Sequence, residues 1–222
     1  KKEYTLNSGI ELKIKAESNQ KIVLKLTSNK AEIFGTPLVK GREYTFQKCT
    51  FSVYTWTGCT LTIEQEEEDD KIMVNEKNRY EFMSRVLNIV KAIDDYRMKQ
   101  KRPPRVMIVG EANTGKTTLT KMISAYTTRL GYSFLLADLD IKGGILSLPS
   151  TIAAQNITQL YDIENGYDFK SSPLMYYNGS SFLGEHNEDL YDITIKELAE
   201  HMKQRQKNES SLGGVLIDTF YI

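Results

Sequence analysis

Arg105-Val-Met-Ile-Val-Gly-Glu-Ala-Asn-Thr-Gly-Lys-Thr117 is the stretch that decides the fold. Arg105 to Val109 reads as a short apolar strand, and Thr118 to Leu130 as a helix that ends at Gly131, a residue suited to a C-terminal cap. Between them, Gly110 to Thr117 has the pattern glycine, four residues, glycine, lysine, serine or threonine. Strand, glycine loop and helix in that order make a phosphate-binding loop. Gly110 and Gly115 permit torsions and a close approach that a Cβ would forbid, so successive backbone N–H groups can wrap phosphate oxygens. The helix that opens near Lys116 turns its unpaired N–H groups and positive dipole end toward the same oxygens. Lys116 supplies a point charge to the β- and γ-phosphates, Thr117 can place its hydroxyl on magnesium, and Asn113, Thr114 and Thr118 complete the expected phosphate contacts. The expected ligand is ATP with Mg2+.

Downstream, Ser133-Phe-Leu-Leu-Ala-Asp-Leu-Asp140 reads as a second buried strand ending in carboxylates, and Gly214-Val-Leu-Ile-Asp218 as a third. A helix over Glu188 to Lys207 carries Leu190, Ile193, Leu198 and Met202. Alternation of strand and helix predicts an α/β domain with a parallel sheet covered on both faces, spanning 103–222. Magnesium needs a carboxylate at a strand end; Asp140 is the first choice, Asp218 the second, and Asp138 is read as structural. A core strand at the very end of the sequence leads to the expectation that the C-terminal part of this domain lies beyond Ile222.

Upstream the period is two. Ile10, Leu12 and Ile14 alternate with charged residues, Ile22, Leu24 and Leu26 alternate with Val23 and Lys25, and further strands read at Arg42–Gln47, Thr50–Thr57 and Cys59–Gln65. Ser28-Asn29 reads as a hairpin between Lys21–Thr27 and Lys30–Phe34, asparagine tolerating positive φ. Residues 1–75 are therefore expected to form a small all-β sandwich. The acidic run Glu64–Asp70 reads as a solvated loop. Across 76–102 the period changes: Phe82, Val86, Ile89, Val90, Ile93 and Arg97 mark an amphipathic helix, stopped by Pro103-Pro104.

Composition removes other classes. Lys plus Arg and Asp plus Glu stand at 29 each in 222 residues, so no global positive field gathers nucleic acid, and any RNA contact must be local. No apolar run approaches the roughly 20 residues of a membrane span, which reads as no membrane association. Cys49 and Cys59 cannot make a disulfide framework, and His186 and His201 lack neighbours for a zinc site.

Ala31-Glu-Ile-Phe-Gly-Thr36, Tyr44-Thr-Phe46, Val53-Tyr-Thr-Trp56, the phosphate loop, Leu139-Asp140 and Leu148-Pro149, in this order, resemble the Clp/Grc family of polynucleotide 5′-hydroxyl kinases. Within it the likeness is to members of the pre-mRNA cleavage and polyadenylation machinery. The resemblance implies an N-terminal β-domain, a central P-loop domain and a further C-terminal domain. It also implies adenine recognition by a glutamate matching Glu11 and a basic residue nearest to Lys48, protein subunits of a pre-mRNA 3′-end cleavage factor as partners, and a nuclear location. If the chain transfers phosphate, Lys116 and Asp140 are its catalytic residues. Active members resemble one another in a glycine-glutamine pair after the second-strand aspartate and a glycine-tryptophan after the third strand. Here Asp140-Ile-Lys-Gly-Gly144 and Phe220-Tyr221-Ile222 stand in those places. Two readings stay open: ATP held as a structural ligand, or a working RNA 5′-kinase. A GTP switch is disfavoured, since no Asn-Lys-x-Asp segment occurs.

Overall fold

The computed structural model describes residues 1–15, 21–65, 73–100, 102–146, 148–168, 173–184, 186–208 and 213–220. The acidic run from residue 66 onward, and Tyr221 and Ile222, lie outside the described residues. The chain forms two compact units: Lys1–Asn88 with Asp162–Asn165, and Ile89–Tyr161 with the chain from Gly166 onward.

The first unit contains β1 (Lys2–Leu6), β2 (Ile10–Lys15), β3 (Ile22–Asn29), β4 (Glu32–Ile33), β5 (Thr36–Pro37), β6 (Glu43–Phe46), β7 (Thr50–Tyr54), β8 (Cys59–Gln65) and β9 (Met73–Asn78). One antiparallel sheet has the order β1-β8-β3-β6 and the other the order β5-β4-β7-β2-β9. The period-two pattern explains the core. Leu24, Leu26, Leu61 and Ile63 of the first sheet and Leu12, Ile14, Ile33 and Val53 of the second are buried in one cluster, while Lys13 and Lys15 face outward. Ser28-Asn29 does not turn a hairpin. Asn29 has the expected positive φ of 58°, but β3 pairs with β8 and β6, whereas β4 pairs with β5 and β7 of the other sheet. The bend passes the chain from one sheet to the other, and Lys30 gives up its carbonyl to the Thr55 hydroxyl instead of a partner strand. The tight hairpin is Phe34-Gly35, between Glu32–Ile33 and Thr36–Pro37, with φ of 51° and 79°. β9, which pairs with β2, carries the sheet past residue 75 to Asn78.

Asn78 then caps helix α1 (Tyr80–Gln100): its side-chain oxygen accepts the Tyr80 N–H at 3.0 Å. Met83, Val86, Val90 and Arg97 are its buried residues, whereas Phe82 and Ile89, expected inward, are exposed. They sit one position off the buried stripe, which rotates them about 100° around the axis. Arg97 is buried by design of its surroundings. It donates to Asp94 at 2.7 Å and to the Gly213 carbonyl at 3.2 Å, and its guanidinium lies 4.0 Å from the Tyr132 ring centroid. Arg97→Ala will destabilise the protein by about 2–3 kcal/mol, because the Gly213 carbonyl loses its charged donor and a cavity opens; urea denaturation measures it.

The second unit contains β10 (Arg105–Ile108), α2 (Lys116–Arg129), β11 (Phe134–Asp138), β12 (Thr151–Ile157), β13 (Leu174–Tyr177), α3 (Glu188–Asn208) and β14 (Val215–Asp218). The sheet order is β10-β14-β11-β12-β13. β10, β14 and β11 are parallel, as expected, but β12 and β13 continue the sheet antiparallel, so it is mixed. Leu135, Ala137 and Val215 pack with Leu198 and Met202 of α3. Strand alternation then sends Leu136, Asp138, Leu216 and Asp218 to the opposite face, where Thr117 at the start of α2 bonds Asp218. The buried face of α3 is Tyr191, Thr194, Ile195, Leu198 and Met202; Leu190 and Ile193, expected inward, are exposed. No helix among the described residues is long and apolar enough to cross a membrane.

Candidate phosphate-binding site

The loop leaves β10 through Gly110 at φ 156° and enters α2 through Gly115 at φ 90°, with Asn113 at φ 60° between them. These left-handed residues turn consecutive N–H groups inward, and Gly115 takes the N-cap position with no side chain in front of the helix end. A Cβ on Gly110 would meet the Thr114 hydroxyl at 3.2 Å. That hydroxyl donates to the Glu111 carbonyl at 2.8 Å, so Thr114 braces the loop. The Lys116 ammonium folds back over it, donating to the carbonyls of Gly110 at 2.9 Å and Glu111 at 2.8 Å. A cavity of about 410 Å³ opens above the loop, lined by Ala112, Asn113, Gly115, Lys116, Thr117, Thr118, Asp140 and Lys142. Sequence-expected residues converge here, and Lys142 joins them; only its place after the strand-end aspartate could have signalled it.

The two candidate metal carboxylates differ in setting. Asp218 ends β14, is fully buried, and accepts the Thr117 hydroxyl at 2.9 Å. Its other oxygen, Oδ1, is buried without a hydrogen-bond partner among the described residues. Asp140 lies at the cavity wall and accepts the Lys142 N–H at 3.0 Å. Asp138, read as structural, holds the connection between them: its carboxylate accepts the N–H groups of Asp140 at 3.2 Å and Leu146 at 2.9 Å. Thr117 with an unsatisfied buried carboxylate oxygen is a hard-oxygen donor set of the kind magnesium takes.

Burial pushes the Asp218 carboxyl above its ordinary range, the Thr117 and Thr120 hydroxyls pull it back, neighbouring Asp140 raises it and Lys116 lowers it. A carboxyl raised on folding favours the fold while protonated. That stability is present below the unfolded pKa and is lost as pH rises through the folded one. Asp218→Asn will therefore flatten the pH dependence above the ordinary carboxylate range and raise the stability of ligand-free protein there; melting curves across that range check it.

Glu11 and Lys48 belong to the first unit. Glu11 lies on β2, on the face away from the sandwich core, paired in register with Tyr54 and Lys77, with Arg79 Nε 3.8 Å from its carboxylate. Lys48 is exposed in the turn between β6 and β7, at φ 46°. Beside Glu11's neighbour Tyr54, Trp56 and Tyr80 form successive edge-on aromatic contacts at 5.0 and 5.9 Å. His201 bonds Tyr176 and the Glu197 carbonyl on the surface of α3, and Cys49 and Cys59 are free thiols.

Comparison with known proteins agrees with this geometry. Residues 5–100 match the model of the N-terminal beta-sandwich domain of polyadenylation factor, and residues 110–221 that of the mRNA cleavage and polyadenylation factor CLP1 P-loop. The chain is 31% identical to a CLP1 homolog of Brugia malayi, over 98% of this chain and 51% of that protein. It is 32% identical to the polyribonucleotide 5′-hydroxyl-kinase Clp1 of Bos taurus, over 97% of this chain and 51% of that protein. The chain thus spans about half the length of these relatives. A solved structure of Clp1p with Pcf11p, which addresses ATP loss in a glycine-to-arginine mutant, superposes with a TM-score of 0.88 at 26% identity, covering 100% of this chain and 54% of that one. The wild-type Clp1p-Pcf11p complex gives 0.87 at 27% identity, over 98% and 53%. With both family models matched in order along the sequence, the chain belongs to the CLP1 family of mRNA cleavage and polyadenylation factors.

Proposed function

We propose that the protein is an ATP-binding subunit of the nuclear pre-mRNA 3′-end cleavage machinery in which ATP with Mg2+ is a structural ligand. The observation that carries this is a complete phosphate loop over a cavity whose acceptor side departs from active kinases at Asp140-Ile-Lys-Gly-Gly144. Backbone N–H groups of residues 110–117 hold the β-phosphate, and Lys116 neutralises its outer oxygens. Thr117 and Asp218 would hold magnesium, with Asp140 of the cavity wall as a further carboxylate; the ion, when bound, offsets phosphate charge. Glu11 and Lys48 are assigned to adenine by the family resemblance. A ligand that binds only the folded state stabilises it by the logarithm of its excess over Kd, so tightly held ATP can be structural. The solved relatives are complexes with Pcf11p, which supports a cleavage-factor subunit of that kind as partner.

The second reading, a working polynucleotide 5′-hydroxyl kinase acting on RNA, is favoured by relatives that carry that name and by the presence here of Lys116, Thr117, Asp140 and Asp218. Full-length protein incubated with γ-labelled ATP and a 5′-hydroxyl RNA oligonucleotide separates the two. The structural reading expects unlabelled RNA; labelling at the rate of an active family member contradicts it.

A further inference from the structure

Lys142 is a second lysine lining the candidate phosphate cavity, together with Lys116 and Asp140. Its backbone is anchored: its N–H donates to Asp140 Oδ1 at 3.0 Å, and the preceding Ile141 carbonyl accepts the Ser150 N–H at 2.8 Å. Its ammonium lies near two aromatic rings, 5.3 Å from the Phe182 centroid and 5.8 Å from that of Phe220. The Phe220 ring is packed in, and the backbone of Phe182 is hydrogen-bonded. Phe220 is buried at the end of β14. Phe182 is exposed, but its N–H donates to Ser180 Oγ at 3.1 Å and its carbonyl accepts Asn187 Nδ2 at 2.8 Å. A lysine that only shields apolar surface needs no such pair of rings at the rim of a polar cavity. Two nearby rings restrict a flexible cation and so lower the entropic cost of each hydrogen bond it makes.

The charge balance points the same way. Lys116 reaches the cavity from the loop side, and Asp140 cancels one positive charge on the wall. Magnesium neutralises only part of a triphosphate, so the outermost phosphate still requires a cation on the side away from the loop.

We infer that Lys142, positioned by Phe182 and Phe220, binds the terminal phosphate of a nucleoside triphosphate and makes the site discriminate triphosphate from diphosphate. This rests on the reading of the cavity as an ATP site. Lys142 then places a fixed positive charge on the cavity wall beside Asp140. Such a charge favours retention of the triphosphate, in keeping with a structural nucleotide.

Full-length protein and its Lys142→Ala, Lys142→Arg and Lys116→Ala variants are titrated with ATP and with ADP, both in magnesium, by calorimetry. Lys142→Ala will lose about tenfold in ATP affinity, the worth of one charged hydrogen bond, while ADP affinity stays within about twofold. Lys142→Arg will keep most of the preference for ATP. Equal losses for both nucleotides in Lys142→Ala, or no loss for either, overturn the inference. Lys116→Ala tests the underlying reading separately: it will weaken both nucleotides, and unchanged binding of both in that variant overturns the ATP-site reading itself.

Discussion

Replacing Lys116 by alanine will lower ATP affinity roughly a hundredfold, while the melting temperature of ligand-free protein moves by no more than about 2 °C. The large effect on binding follows from chemistry that no other residue of the loop supplies. Backbone N–H groups offer dipoles, whereas the Lys116 ammonium offers a full charge with several donors to two phosphate groups. Charged hydrogen bonds contribute about 1.5–3 kcal/mol each, so losing one strong contact and part of another reaches about 3 kcal/mol. The small effect on stability follows from what Lys116 touches without ligand: the carbonyls of Gly110 and Glu111, in a loop open to water. Water replaces an ammonium there at little cost. Titration calorimetry and thermal melts on the same samples measure both.

Gly144→Ala will destabilise the protein by about 3 kcal/mol or more and disorganise the far wall of the phosphate cavity. A Cβ built on Gly144 would lie 1.7 Å from Asp138 Oδ2 and 2.2 Å from its carbon, an overlap that forces one of the two to move. Asp138 is fully buried and its carboxylate receives the Asp140 and Leu146 N–H groups. Displacing it strands a buried charge and releases the segment that carries Asp140 and Lys142. Chemical denaturation should report the stability loss, and ATP titration a weakened site. Gly143→Ala is the control: no atom lies within 4 Å of its added Cβ, although its φ of 157° still costs some strain.

The P-loop was legible because its chemistry is local in sequence. Gly110, Gly115, Lys116 and Thr117 must follow one another to build one anion nest at one helix end, so spacing alone identifies them. Alternation exposed the sandwich strands for a similar reason, since each strand carries its own inward face at Leu12 and Ile14 or at Leu24 and Leu26. What sequence left open depends on partners far along the chain. β12, Thr-Ile-Ala-Ala-Gln-Asn-Ile, has alanine and amide residues of poor strand propensity and becomes a strand because it pairs with β11 and β13. Ser28-Asn29 carried a sound signal for positive φ, but whether the bend folds back or crosses between sheets is settled by β7 and β8, which lie later in the chain at Thr50–Tyr54 and Cys59–Gln65. On α1 and α3 the expected stripes hold at Val86, Val90, Arg97, Leu198 and Met202, but Phe82, Ile89, Leu190 and Ile193 fall outside them. Arg97 and Thr194 are polar yet buried, and Phe82 and Ile193 are apolar yet exposed, so hydrophobicity alone misplaces part of the stripe.

Within the site, the same distinction separates Asp140 from Asp218. Asp218 ends β14, whereas β11 stops at Asp138 and Asp140 follows two residues later, and nothing in either segment tells which carboxylate meets Thr117. Parallel pairing places β14 next to β10, the strand that delivers the loop, and so brings Asp218 to the Thr117 hydroxyl across 101 positions of sequence. Lys142 was visible only as a departure from the pattern of active kinases. Its placement near Phe182 and Phe220 needs β14 and the loop after β13 to meet, which no spacing rule encodes.

A structural role for ATP requires that this protein keep it. It is tested most directly by denaturing full-length protein purified without added nucleotide and identifying what is released by chromatography and mass spectrometry. Intact ATP in near-stoichiometric amount is the predicted result. Release of ADP, or of no nucleotide at all, contradicts it.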